Sequence, residues 1–226
     1  MAFTNRTEAG VRLADALEKY KKSDTVVLAL PRGGVPVAAE IAARLKAPLD
    51  LVLVRKIGVP FQRELAMGAV VDGDTPIVVR NESVIREADV SESEFRAACK
   101  REMAEIERRR QAYLGGRSPV EVSGRVAIVV DDGIATGATT RAALRAVRAR
   151  HPKTLILAVP VAPTSTLPSL KGEVDELVCL EAHEPFGAIG FFYNDFRQLE
   201  DQDVIAILKQ HPPNGKEKRP LPATDA

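Results

Sequence analysis

Cysteine is scarce: Cys99 and Cys179 are the only two in a chain of 226 residues. Neither stands at a metal-ligand or redox spacing, which leaves ordinary reduced thiols of the kind the cytoplasm maintains. Long apolar runs are missing as well. No segment approaches the roughly 18 apolar residues that a membrane crossing takes. The amino-terminal stretch MAFTNRTEAGVRLADALEKY has no apolar core of signal-peptide length, so a soluble protein is expected. Excess charge of one sign is also absent. The 32 Lys and Arg nearly balance 31 Asp and Glu, a net charge of +1 that gives no basis for general nucleic acid binding. Two nucleotide signatures fail too: no GxGxxG opens a helix, and where a P-loop carries lysine before its hydroxyl residue this chain has Ala138.

What is present centres on Val126 to Arg141, VAIVVDDGIATGATTR. Val126, Ile128, Val129 and Val130 form a β-branched run that reads as a strand covered on both faces. It stops at Asp131 and Asp132. Gly133, Thr136, Gly137, Ala138, Thr139 and Thr140 then supply small side chains and hydroxyls. From Ala142 to Arg150, Ala143, Ala146 and Val147 recur at helical spacing. A helix that starts inside such a loop offers unpaired backbone N–H groups and the positive end of its dipole, a setting for phosphate. The two carboxylates would repel that phosphate; a few ångströms away they suit sugar hydroxyls or a hydrated metal. A sugar phosphate satisfies both halves.

The same residues resemble the phosphoribosyl pyrophosphate motif of the type I phosphoribosyltransferase family. That motif runs through four apolar residues, two acids, two variable residues, a small residue and Thr-Gly-x-Thr. Here Ile128 to Thr139, with Ala135 as the small residue, fill the pattern from the third strand residue onward. The resemblance implies an α/β fold, a mainly parallel sheet flanked by helices, with a carboxyl-terminal hood. It covers about Thr25 to Phe196.

Taken in order, Gly10–Tyr20 has helical spacing and Thr25–Leu30 reads as a buried strand. Pro31, Arg32, Gly33 and Gly34 follow, and Val35 to Leu45 reads as a second helix. In the resemblance this turn takes the place of the pyrophosphate loop, where glycine backbone and the Arg32 fork would meet phosphate oxygens. Asp50–Val54 is a second strand. The run RKIGVP after it is similar to the entry into the mobile catalytic loop of adenine-type members, which assigns Arg55 and Lys56 to the pyrophosphate. Glu64, ahead of a short strand at Ala69–Val71, is read as an aid to proton transfer at the nucleophile or, by a slight preference, as a surface charge, and Pro76–Val79 as an edge strand. The stretch of about 81–119 is an insertion, read as a cover for the active-site edge or the contact of a homodimer. Within it, Ser91 and Glu94 form a capping box for a long helix to about Leu114. Its basic residues are interleaved with glutamates, as on a solvated face.

Strands at Thr154–Val161 and Val174–Leu180, with a helix at Thr164–Leu170 between them, extend the parallel sheet. A last helix is expected at Asp201–Lys209. The hood, about 181–200, holds Phe186, Phe191, Phe192, Tyr193 and Phe196, half of the chain's 7 Phe and 3 Tyr. The first four are candidates to face a base, against core packing as the plainer reading. His183 has no Cys or second His beside it, so no metal role is expected. Residues 1–211 are taken as one domain, and the Pro-rich 212–226 as a disordered tail.

The resemblance implies transfer of ribose 5-phosphate from phosphoribosyl pyrophosphate to a small nitrogenous acceptor. Ala135, Thr136, Gly137, Ala138, Thr139 and Thr140 would hold the 5-phosphate, and Asp131 and Asp132 the ribose hydroxyls. Arg32 and Lys56, with Arg55, Gly33 and Gly34 beside them, would meet the pyrophosphate, and Mg2+ would bridge its oxygens while keeping most of its water. Members acting on 6-oxopurines carry an aspartate where this chain has Ala135, which argues against hypoxanthine or guanine. Two other readings stand beside transfer: a regulator that binds the sugar phosphate without turnover, and a sugar-phosphate hydrolase using the aspartates.

Overall fold

The structure, a computed structural model, describes residues 2–72, 76–115 and 117–211; the expected tail at 212–226 lies outside them. Its centre is a five-stranded parallel sheet in the order β2-β1-β6-β7-β8, from β1 (Thr25–Ala29), β2 (Leu49–Leu51), β6 (Val126–Val130), β7 (Thr154–Pro163) and β8 (Glu176–His183). Every residue of β1 and β6 is buried, as the unbroken β-branched runs require of a sheet covered on both faces. Val27, Ala29, Ile128 and Val130 pack towards α1 (Arg6–Ala16) and α2 (Gly34–Leu45). Val26, Leu28, Ala127 and Val129 pack towards α5 (Ala138–Arg148). Each fully buried Leu or Ile of these layers contributes about 1.5–3 kcal/mol.

Register positions the loops. β1 pairs with β6 from Thr25 opposite Val126 to Ala29 opposite Val130, so the turn after β1 and the acidic pair after β6 leave the sheet level with each other. This is the carboxyl edge where open parallel sheets bind ligands.

The strand expected at Asp50–Val54 is present as β2, which ends at Leu51, and the loop expected beyond it is a hairpin. β3 (Val54–Val59) and β4 (Gln62–Val71) pair antiparallel, and β5 (Ile77–Arg80) joins β4 in a separate three-stranded sheet. The edge strand expected near Pro76–Val79 therefore borders this smaller sheet. The hairpin stands because Ile57, Val59, Met67 and Val70 are all buried in it, giving the run after RK an apolar face of its own.

The segment 81–119 backs the hairpin. α3 (Glu82–Glu87) is short; α4 (Glu92–Leu114) carries the Ser91–Glu94 capping box and buries Phe95, Ala98, Cys99, Ile106 and Tyr113. Met103, expected on that face, is 37% exposed. Arg108 and Arg109 both pair with Glu105, the solvated face that interleaved charges predict. α6 (Leu167–Lys171) and α7 (Asp201–Gln210) close the domain. No helix among the described residues is long and apolar enough to cross a membrane.

Candidate sugar-phosphate site

The loop from Asp131 to Gly137 delivers α5 to the sheet edge. Gly137 is its N-cap at φ 73°, a left-handed conformation that glycine enters without the strain of a Cβ. No side chain caps this helix, so the amides of its first turn stay open to an anion. Thr166 steadies the loop from outside, its hydroxyl donating to the Ala135 carbonyl at 3.2 Å. Ala135, Thr136, Ala138 and Thr139 are exposed, whereas Thr140 is buried.

A cavity of about 590 Å3 opens here between α5 and the small sheet, lined among others by Lys56, Arg80, Thr136, Thr139, Arg141 and Arg145. Arg145 and Arg80 are held by Glu173, Glu82 and Glu92. Arg141 donates through Nη2 to Ser169 at 3.1 Å, while its Nε is buried without an acceptor among the described residues. Lys56 reaches the carbonyl and carboxylate of Glu64, each at 3.1 Å. The Glu64 side chain is 96% exposed, in keeping with a surface charge.

The two aspartates have different surroundings. Asp131 is half-buried and turns Oδ1 to the backbone N–H of Asp132 at 2.9 Å. Burial, together with the charge of Asp132, holds its carboxyl well above the ordinary value. Asp132 is 7% exposed and accepts from Arg6 Nε at 2.7 Å. Burial raises this carboxyl too, and Arg6 pulls it back. Arg6 stacks over the Phe196 ring at 3.9 Å and donates to the Arg197 carbonyl at 2.9 Å. The Tyr193 hydroxyl donates to the Asp132 carbonyl at 2.6 Å. One acid is thus clamped from α1 and the hood; the other has no cation bound to it among the described residues.

The turn after β1 lies against that clamp. A Cβ on Gly33 would stand 2.0 Å from Asp132 Oδ2, and one on Gly34 would stand 2.5 Å from the Val130 carbonyl, so only glycine lets the two loops touch. The Gly34 N–H is already bonded to the Leu30 carbonyl at 3.0 Å. That differs from the expectation that it faces a ligand, because the turn folds straight into α2. Arg32 Nη1 lies 3.9 Å from Asp201 at the start of α7. Asp201 also accepts from Tyr113 at 2.5 Å, whose hydroxyl burial pushes up to about 12. Arg55 points its Nε at Glu102 of α4, 2.8 Å away, and does not line the α5 cavity.

Residues 8–191 of the chain match the family described as Phosphoribosyl transferase domain. The chain belongs to the phosphoribosyl transferase family. Two proteins of Mycobacterium tuberculosis, from strains CDC 1551 and H37Rv, are named provisionally as phosphoribosyl transferases. Each is 43% identical over 206 residues, covering 91% of this chain and 46% of its own length. The chain spans about half the length of these curated relatives. The crystal structure of TT1426 from Thermus thermophilus superposes with a TM-score of 0.80 at 39% identity, covering 93% of this chain and 99% of that one.

In this member of the family the expected residues fall into two neighbouring groups. Lys56, Thr136, Ala138 and Thr139 share the cavity. Arg32, Gly33, Gly34, Asp131 and Asp132 gather where the ends of β1 and β6 meet. Arg6, Tyr193 and Phe196 were not expected near the acids; Arg6 is 126 positions from Asp132, and no local pattern marks it.

The hood aromatics divide as well. Phe186 and Tyr193 are buried with Phe3 and Val161, Phe192 packs against that cluster, and Phe191 is 78% exposed. The Phe3 N–H donates to the Phe192 carbonyl at 2.7 Å, tying the amino terminus under the hood. His183 stacks on Phe192 at 4.6 Å. Among the described residues no three His, Cys, Asp or Glu gather as a metal group.

Proposed function

We propose that this phosphoribosyl transferase moves ribose 5-phosphate from phosphoribosyl pyrophosphate to a nitrogenous acceptor. The acceptor nitrogen bonds to the anomeric carbon as the bond to pyrophosphate breaks. The electron pair leaves with pyrophosphate, and the displaced proton passes to solvent or a nearby base. The uncapped start of α5, facing a cavity that carries four cationic side chains, is the observation that supports this reading most directly.

In this reading the amides and hydroxyls from Thr136 to Thr139 hold the 5-phosphate, with Ala135 at the entrance and Thr140 beneath. Asp131 takes the ribose hydroxyls; Asp132, already paired with Arg6, sets the position of its neighbour through the backbone. Arg32 and Lys56 neutralise the pyrophosphate side, and Gly33 and Gly34 bring that loop close. Positioning and fixed charge then supply most of the acceleration.

The donor set fits a magnesium ion that keeps its water rather than one caged by protein. Asp131 is the residue that would hold it through water, Asp132 being engaged by Arg6. Such an ion, when bound, supplies charge neutralisation for the departing pyrophosphate. Ala135 leaves no carboxylate at its position, in favour of an adenine-like, orotate-like or other acceptor over a 6-oxopurine. Reduced thiols and a cytoplasmic setting belong to the same reading.

The test is calorimetric titration of phosphoribosyl pyrophosphate with magnesium, followed by pyrophosphate release across a panel of bases. Thr136→Val should weaken binding about tenfold, the loss of one charge-assisted hydrogen bond; unchanged affinity would move the 5-phosphate elsewhere. A second reading, a sensor that binds without turnover, draws on the engagement of Asp132 by Arg6. Saturable binding with no product from any base would select it.

A further inference from the structure

A second cavity, of about 350 Å3, lies on the α4 side of the β3–β4 hairpin. Its charged lining is Arg55, Lys56, Arg63, Arg101 and Glu102, four cations against one carboxylate. That carboxylate is already taken by Arg55 at 2.8 Å. Arg63 and Arg101 make no ion pair or side-chain hydrogen bond with any other described residue. Elsewhere on α4 the arginines are matched: Arg96 with Glu92, and Arg108 and Arg109 with Glu105. The concavity thus gathers an excess of positive charge in a chain whose net charge is only +1.

Cations gathered around a concave wall repel one another and focus a positive potential that an anion relieves. Guanidinium forks match phosphate oxygens in pairs. The volume sits near the lower end of the roughly 300–1,000 Å3 of small-molecule sites, which suits a compact ligand. The cavity contains none of the residues from Asp131 to Thr140, so it is separate from the loop at α5. Its cations come from three elements: Arg55 and Lys56 from β3, Arg63 from β4 and Arg101 from α4. An anion seated among them joins the hairpin to the helix behind it. Lys56 borders both cavities.

We propose that this concavity is a second anion site that takes a compact phosphate-bearing polyanion, and that its occupant draws on Lys56 and so bears on the α5 cavity. The coupling through Lys56 rests on the transfer reading given above; the site itself does not.

Inorganic triphosphate is the probe, titrated calorimetrically into the wild type, the Arg63→Ala/Arg101→Ala double variant and Thr136→Val. The wild type should show two binding events. The double variant should lose one or weaken it about tenfold or more, while Thr136→Val should keep that event and weaken the other. A double variant with Lys at both positions should fall between the wild type and the alanine variant, because it keeps the charge and loses the paired guanidinium contacts. An Arg63→Ala/Arg101→Ala isotherm that superposes on the wild type overturns the proposal. If that variant loses its event while Thr136→Val matches the wild type, the second site stands and the assignment of the 5-phosphate to the α5 loop falls.

Discussion

Replacing Arg6 with alanine tests how the acidic pair is held. Arg6 and Asp132 are 8% and 7% exposed and 2.7 Å apart, so little solvent screens them. Removing the guanidinium leaves a buried carboxylate without its cation, which costs about 3–5 kcal/mol. Loss of the stack on Phe196 adds about 0.5–1 kcal/mol. At about 2–4 °C per kcal/mol for a domain of this size, the melting temperature should fall on the order of 10 °C. The assay is denaturant unfolding of the wild type, Arg6→Ala, Asp132→Asn and the double variant. Asparagine removes the charge that Arg6 balances, so the second substitution should recover part of what the first loses, with a coupling above about 1 kcal/mol. The deficit of Arg6→Ala should also shrink in acid, as Asp132 takes a proton. A loss below about 1 kcal/mol, or additive single losses, would refute the clamp.

Three further outcomes follow from the same geometry. Asp131→Asn should raise stability at neutral pH while abolishing transfer. The folded state binds the Asp131 proton more readily than the unfolded chain, so this carboxyl lowers stability as pH rises through its raised folded value. The gain from asparagine should therefore fade on acidification towards the ordinary value of 3.8; a gain that grows in acid would contradict the raised carboxyl. Gly34→Ala should destabilise by about 1–3 kcal/mol, because its Cβ meets the Val130 carbonyl at 2.5 Å; thermal melting at wild-type temperature would show that the loops can part. All three tyrosine hydroxyls are shifted upward, first through burial, and the shifts of Tyr113 and Tyr193 are the large ones, so an ultraviolet titration should show these two phenols ionising well above the ordinary 10.0. Tyr113 or Tyr193 ionising at 10.0 in the folded protein would remove its burial.

The parts legible in the sequence are those whose cause is local. Unbroken β-branched runs announced β1 and β6, the Ser91–Glu94 spacing announced the start of α4, and an ordered run of acids, glycine and threonine announced the turn into α5. Parallel pairing then followed from the alternation of strands and helices. The β3–β4 hairpin was missed because Arg55 and Lys56 at its start look like a charged loop. Its burial comes from α4, which packs behind it from a later part of the chain. The same limit applies with more consequence at the acids. In sequence Asp131 and Asp132 are equivalent; in space one meets Arg6 and the other does not. Arg6 can reach Asp132 only because the backbone of Phe3 pairs with that of Phe192 and Tyr193 and lays the start of the chain under the hood. A long-range pairing of backbone thus divides two identical carboxylates into one clamped by Arg6 and one with no cation bound to it among the described residues.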